Sequence, residues 1–179
     1  TNTFFEAQYH RGKAIYDFIR STFPDRDLKG LKVLEVGCGA GGILHYFKQQ
    51  KCNVRGIDLG KEYLEFGKDN FDLDLRQGKL SEVNDFIPDI VIYSHVMEHI
   101  LDLEFELLKL KEISHQETIF YIEVPGIRNI HNTCKMDLLL YLQNAHTFHF
   151  SLTSLKNLFE KYNFKLIRGT EYVRSVFLI

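Results

Sequence analysis

The sequence predicts an α/β domain, a doubly wound and mostly parallel sheet finished by an antiparallel hairpin. Three observations predict it. From residue 31 onward short apolar runs alternate with amphipathic stretches, which is the pattern of strands and helices taken in turn. The run DIVIYS (89–94) is apolar with little alternation, as suits a strand buried on both faces. The last two apolar runs meet at a short join around Gly169, and a short join can only make an antiparallel pair.

Each element follows from local pattern. Residues 5–22 carry Phe5, Tyr9, Ile15, Phe18 and Ile19 at loosely helical spacing. Pro24, Asp25 and Gly30 then break the chain. LKVLEV (31–36) reads as a buried strand ending in glycines, and GGILHYFKQQ (41–50) as the helix after it. NVRGIDL (53–59) and KEYLEFGKDN (61–70) repeat the pair. LDLRQG (73–78) is a short third strand and DIVIYS the fourth. EFELLKLKEIS (104–114) is a helix with a 3.6-residue period, and ETIFYIEVP (117–125) a fifth strand. SLTSLKNLFEKYN (151–163) is a helix with Ser151 or Thr153 placed to cap it. FKLIRGTEYVRSVFLI (164–179) supplies the two hairpin strands.

Composition bounds the function classes. A chain of 179 residues suffices for one domain with a buried core. The net charge is −2, so no basic surplus points to a nucleic-acid partner. No apolar run approaches the roughly 18 residues of a membrane span, and no charged n-region precedes an apolar stretch as in a signal peptide. Cys38, Cys52 and Cys134 are an odd, scattered set, which points to a reducing cytoplasm rather than a disulfide framework. The chain starts at Thr1 and stops inside the apolar run VRSVFLI, which suggests a trimmed piece of something longer. The expected organisation is a single domain over 1–179. It has a helical cap over 1–24 and a second cap, on the side of the substrate, over 126–150.

Gly37, Gly39 and Gly41 lie between the first strand and its helix, with Cys38 among them. Such a turn brings bare backbone and free N–H groups close to a ligand. Gly37, Gly39 and Gly42 also satisfy GxGxxG, so a nicotinamide dinucleotide and S-adenosylmethionine compete. Glu35 stands two residues before the first glycine. A carboxylate there repels a pyrophosphate and suits a ligand carrying an ammonium and a sulfonium. Asp58 ends the second strand, about 20 residues on, where an acid accepts hydrogen bonds from ribose hydroxyls.

VLEVGCGAGG, GIDL, DIVIYSHVMEHILD and NAHTFHFSLTSLKNLFEKYNFKLI, taken in order, resemble class I S-adenosylmethionine-dependent methyltransferases. The similar subgroup includes ubiquinone-biosynthesis O-methyltransferases and relatives that modify sugars and natural products. The resemblance implies a Rossmann-like seven-stranded sheet of order 3-2-1-4-5-7-6. It implies methyl transfer from S-adenosylmethionine to a small-molecule acceptor such as a sugar, phenol or quinol, on oxygen or nitrogen. Gly37, Cys38, Gly39 and Gly41 would pack under the methionine part, with Glu35 near its amino group. Asp58 would hold the ribose, and Leu59, Lys79 and Leu80 would edge the adenine. Many relatives carry an acid at the position of Lys79, and lysine cannot accept a hydrogen bond. The backbone of Leu80, or Asn84, would replace it. Ser94 and His95 would face the sulfonium, and Tyr9 and Arg11 would close over the cofactor carboxylate.

His95-Val-Met-Glu98-His99 also matches HxxEH, a zinc-hydrolase pattern on a helix. No third ligand is fixed by spacing and the glycine loop would go unexplained, so no metal is expected. Some ubiquinone-pathway relatives carry Glu-x-x-Glu-His here and use a divalent cation. His95 in place of the first glutamate weakens such a hard-cation site. His131, His146 and His149, with Tyr141, Phe148 and Phe150, occupy the stretch that caps the acceptor pocket in relatives. A hydroxyl acceptor needs a base, and His95, His146 and His149 are the candidates, in that order. Two alternatives stand beside this reading. One is a nicotinamide-dependent oxidoreductase. The other is a catalytically silent methyltransferase-like module, suggested by Lys79 and the small cap.

Overall fold

The structure, a computed structural model, describes residues 2–130, 139, 142, 146–171 and 173–179. A long helix α1 (Asn2–Thr22) precedes β1 (Lys32–Val36), α2 (Gly42–Gln49), β2 (Asn53–Asp58), α3 (Lys61–Phe71) and β3 (Asp74–Gln77). β4 (Ile90–Ser94), α4 (Leu103–Glu112) and β5 (Ile119–Glu123) follow. The described elements end with α5 (Leu152–Lys161), β6 (Lys165–Gly169) and β7 (Arg174–Leu178). The strands form a seven-stranded sheet in the order β3-β2-β1-β4-β5-β7-β6. The first five are parallel, and β7 runs antiparallel to both β5 and β6. This is the expected architecture.

Side chains alternate across the sheet, and the two faces make two cores. Leu34, Val91, Tyr93 and Phe120 pack under α4 and α5 with Leu107 and Phe159. Val33, Ile90, Ile92 and Tyr121 pack under α1 and α2 with Ile15, Ile43 and Phe47. β4 and β5 are buried at every position, which is why their sequences do not alternate. Among the described residues, no helix is long and apolar enough to cross a membrane.

Three local expectations change. The buried stripe of α1 is Phe5, Gln8, Gly12, Ile15 and Ile19; Phe18 packs against the same core while partly exposed, and Tyr9 falls outside the stripe. Gly12 is required because a β-carbon there would stand 2.9 Å from the Ile43 backbone. Gly169 is the last residue of β6, and the hairpin turn lies after it, closed by Val173 N–H donating to the Thr170 carbonyl at 2.8 Å. Of the two candidate caps, Ser151 accepts from the Ser154 N–H and caps α5.

The crossing of α1 over the start of α2 depends on a second glycine. A β-carbon on Gly42 would lie 2.4 Å from the Phe5 carbonyl oxygen and 2.6 Å from the Gln8 β-carbon. Gly42→Ala is therefore expected to push α1 off α2 and to destabilise by about 1–3 kcal/mol. Thermal unfolding should show Tm lowered by roughly 2–12 °C; an unchanged Tm would mean that α1 does not pack as described.

Candidate cofactor site

The carboxyl ends of β1, β2, β4 and β5 meet at one edge of the sheet, where ligands of open α/β folds bind. The loop after β1 is tied down there. The N–H groups of Gly37 and Cys38 both donate to the Ile57 carbonyl, at 2.8 and 3.1 Å. Gly37 has φ +71°, and a β-carbon on it would meet Val96 at 2.4 Å, so only glycine fits. Asp58 accepts from Gly39 N–H at 2.8 Å and from Gly60 N–H at 2.7 Å, one on each carboxylate oxygen. Each oxygen keeps a further lone pair for a ligand.

Gln8 completes the loop. Its Nε2 donates to the Cys38 carbonyl at 3.0 Å, and its Oε1 accepts from Gly42 N–H at 3.3 Å. The sequence reading missed this residue. The available signal was a polar side chain on the helical stripe between Phe5 and Gly12.

A cavity of about 690 Å³ opens beside the loop. Gly37, Asp58, Leu59, Lys79 and Leu80 line it as expected. Asn84 does not line it, and its side-chain amide donates instead to the Glu82 carbonyl. Of the two substitutes for the missing acid, Leu80 lines the cavity. Val96, His99, Leu101 and Phe105 form the far wall and were not expected. Leu101 is 80% exposed and Phe105 54%. Such apolar side chains at solvent-facing positions were the signal to read.

The opposite face of the same edge is acidic and buried. Glu35 is 1% exposed, and its Oε2 has no hydrogen-bond partner among the described residues. Burial pushes its pKa well above the usual carboxylate range; the nearby Arg11 guanidinium partly offsets this, and Asp58 adds to it. Ser94, on the same face at the end of β4, has a buried hydroxyl that also lacks a described partner. Glu123 beyond it pairs with Arg174 at 2.9 Å and accepts from the Tyr121 hydroxyl at 3.0 Å.

Several expected site residues stand elsewhere. Tyr9 is not at the loop: its hydroxyl donates to Gln49 at 2.6 Å and its ring packs on His45 and Tyr46. Cys38 is buried in the core and contributes only backbone; burial first, then Glu35, raises its thiol pKa well above the ordinary value. Gly41 shapes the turn at the start of α2 with φ +78° and does not line the cavity.

The histidines gather behind the cavity. Residues 95–99 are not an α-helix. His95 has φ +59°, and only Met97–His99 form a single 3₁₀ turn. His95 Nδ1 lies 3.6 Å and His99 Nε2 3.9 Å from Glu98 Oε1. His146 reaches the same place, with ring centroids 4.9 Å from His99 and 6.1 Å from His149. A third donor, absent from local spacing, is therefore supplied by the fold. The described cluster offers one carboxylate against several imidazoles. It does not fit the hard, oxygen-seeking cation of the Glu-x-x-Glu-His relatives. His131 and Tyr141 lie outside the described residues, as does Cys134.

Comparison with known proteins agrees with this geometry. The family described as "Methyltransferase domain" matches residues 7–168. A ubiquinone biosynthesis O-methyltransferase of Pelagibacter ubique is 26% identical over 122 residues, covering 64% of this chain and 50% of that protein. One from Rhizobium leguminosarum is 31% identical over 104 residues, covering 54% and 41%. The chain thus spans about half the length, or less, of these curated relatives. Among solved structures, magnesium protoporphyrin IX methyltransferase from Synechocystis, with bound SAH, superposes with TM-score 0.69 at 15% identity, over 94% of this chain and 81% of that one. A SAM-dependent methyltransferase from Archaeoglobus fulgidus gives 0.64 at 22% identity, over 86% and 69%. With the family match running from the first helix to β6, the chain belongs to the methyltransferase-domain family.

Proposed function

We propose that the chain transfers a methyl group from S-adenosylmethionine to a hydroxyl oxygen of a small ring-bearing acceptor, such as a phenol, quinol or sugar. One observation carries the reading. The strand β1 and its loop divide the sheet edge into a cavity with a ribose-ready Asp58 and a buried, incompletely satisfied Glu35. Adenosine fits the first side, and an amino-acid ammonium next to a sulfonium fits the second. A pyrophosphate beside Glu35 would be repelled, which speaks against a dinucleotide. The oxygen acceptor is supported by curated relatives named as ubiquinone biosynthesis O-methyltransferases.

In this reading Gly37 and Gly39 seat the methionine moiety, Asp58 the ribose, and Leu59, Lys79 and Leu80 the adenine edge. Ser94 and His95 face the sulfonium, and Arg11 neutralises the cofactor carboxylate. Methyl transfer is an in-line displacement. The acceptor oxygen bonds to the methyl carbon as the carbon–sulfur bond breaks, and a neutral thioether leaves. The protein's work is alignment and exclusion of water. A histidine takes the hydroxyl proton; His95 is the first candidate, ahead of His146 and His149.

S-adenosylhomocysteine at a hundred times its Kd should raise Tm by roughly 5–10 °C, since such saturation adds about 2.7 kcal/mol. NADH should do nothing, and Asp58→Ala should abolish most of the shift. A shift with NADH alone would overturn the assignment. His95→Ala should lower kcat by about 10²–10⁴ while leaving the thermal shift intact; equal losses in both would place His95 in the cofactor site.

Glu35 adds a pH signature. Its pKa is raised in the free protein by burial, and a ligand ammonium would favour the ionised form. Binding should therefore expel a proton at pH values below that elevated pKa. Affinity should rise as pH rises through the elevated pKa, then fall as the ligand amine deprotonates near pH ~8. Calorimetry in buffers of different ionisation enthalpy should detect the released proton, and Glu35→Gln should remove it. Identical proton release in Glu35→Gln would point to another group.

A further inference from the structure

The purine of S-adenosylmethionine carries an amino group on carbon 6, a donor that is costly to bury without an acceptor. Lys79 lines the cavity but can only donate, and the side chains of Leu59 and Leu80 are apolar. The acceptor that would hold an amino group most strongly is a carboxylate. Among the described residues three acids line the cavity: Asp58, Asp102 and Glu106. Asp58 stands at the end of β2, held by the amides of Gly39 and Gly60. Asp102 is exposed and caps α4, accepting from Phe105 N–H at 2.9 Å. Glu106 is built into the wall in another way.

Glu106 lies one helical turn after Asp102, on the same side of α4. Here α4 packs against the 3₁₀ turn Leu80–Glu82 that follows β3, so Glu106 shares the cavity wall with Leu80 and Ser81. Its Oε1 accepts a hydrogen bond from the Tyr93 hydroxyl. Tyr93 belongs to β4 and has no exposed surface. Burial first, and then Glu106, pushes its pKa well above the ordinary value, so the hydroxyl stays protonated and donates. A tyrosine fixed in the core of the sheet thereby holds a half-buried glutamate on the neighbouring helix in one orientation. Burial raises the Glu106 pKa, and the Tyr93 hydrogen bond opposes that rise. Oε2 keeps its acceptor capacity for a second donor.

We infer that Glu106, held by the Tyr93 hydroxyl, accepts a hydrogen bond from the adenine amino group and makes the cavity select an adenine over a 6-oxo purine. The inference rests on the reading that the cavity takes the adenosine of the cofactor. A 6-oxo purine presents a carbonyl where adenine presents the amino group. Two acceptors would then oppose each other, and the carboxylate would be left without a partner on that side. Glu106 selects the base and takes no part in the methyl transfer. Tyr93 is a positioning residue that acts through it.

The test compares two ligands on the full chain by calorimetry: S-adenosylhomocysteine, and S-inosylhomocysteine, in which a carbonyl replaces the amino group. The wild type should prefer the adenine ligand by roughly 10–100-fold, the range of a hydrogen bond to a charged group. In Glu106→Gln the Tyr93 hydroxyl keeps an oxygen to donate to, so the new amide nitrogen turns a donor toward the base. The preference should then fall to about threefold or less. Tyr93→Phe should give an intermediate preference, because the carboxylate remains but is no longer held. The ratio of two affinities on one variant cancels a loss of fold stability, and a purely structural role for the pair would leave that ratio unchanged. No preference in the wild type, a full preference in Glu106→Gln, or a preference erased as fully by Asp102→Asn would each overturn the assignment and leave the cofactor reading standing. Failure of the wild type to bind either ligand would overturn both.

Discussion

The arrangement depends on how closely α1 approaches the loop after β1. Gly12 and Gly42 let the two helix backbones meet, and Gln8 then holds the loop through the Cys38 carbonyl and the Gly42 N–H. Glu35, in β1 just before this loop, is buried from water. A charged carboxylate in so dry a place is unfavourable by itself. Burial accordingly holds its pKa well above the usual carboxylate range.

The sheet then sorts the chemistry by face. Alternation along β1 sends Leu34 and Val36 to the α4 side and Val33 and Glu35 to the α1 side. The apolar cavity bounded by Asp58, Leu59 and Leu80 therefore lies on one side. The acids and Ser94 gather on the other. Among the described residues the glycine loop lies between the two sides. Its amides are aimed by the Ile57 carbonyl and the Asp58 carboxylate rather than by any side chain of the loop itself.

The histidine ring obeys a different logic. His95, just after β4, takes a left-handed backbone conformation, and Glu98 three residues on is buried. The chain returning toward α5 hydrogen-bonds to the Glu98 carbonyl and delivers His146. Two segments nearly fifty residues apart thus converge on a single buried carboxylate. A helical reading of HxxEH misses this, because the turn there is 3₁₀ and one turn long.

The sequence by itself determined the alternation of elements, the continuous burial of β4, the terminal hairpin, and the places of Glu35, Gly37 and Asp58 at the ends of β1 and β2. These follow from local rules: hydrophobic period, glycine conformation, and the place of a residue at a strand end. Tertiary structure decided what local pattern does not encode. Tyr9 carries the right chemistry for a cofactor lid, yet its helical phase turns it onto α2, and Gln8 one position earlier takes the loop. Leu101 and Phe105 become cavity wall because α4 packs against the 3₁₀ turn Leu80–Glu82 that follows β3. His146 reaches His99 and the side of Glu98 through a long-range backbone contact. Helical phase and chain return are properties of packing, and packing is fixed by the whole core at once rather than by any window of residues.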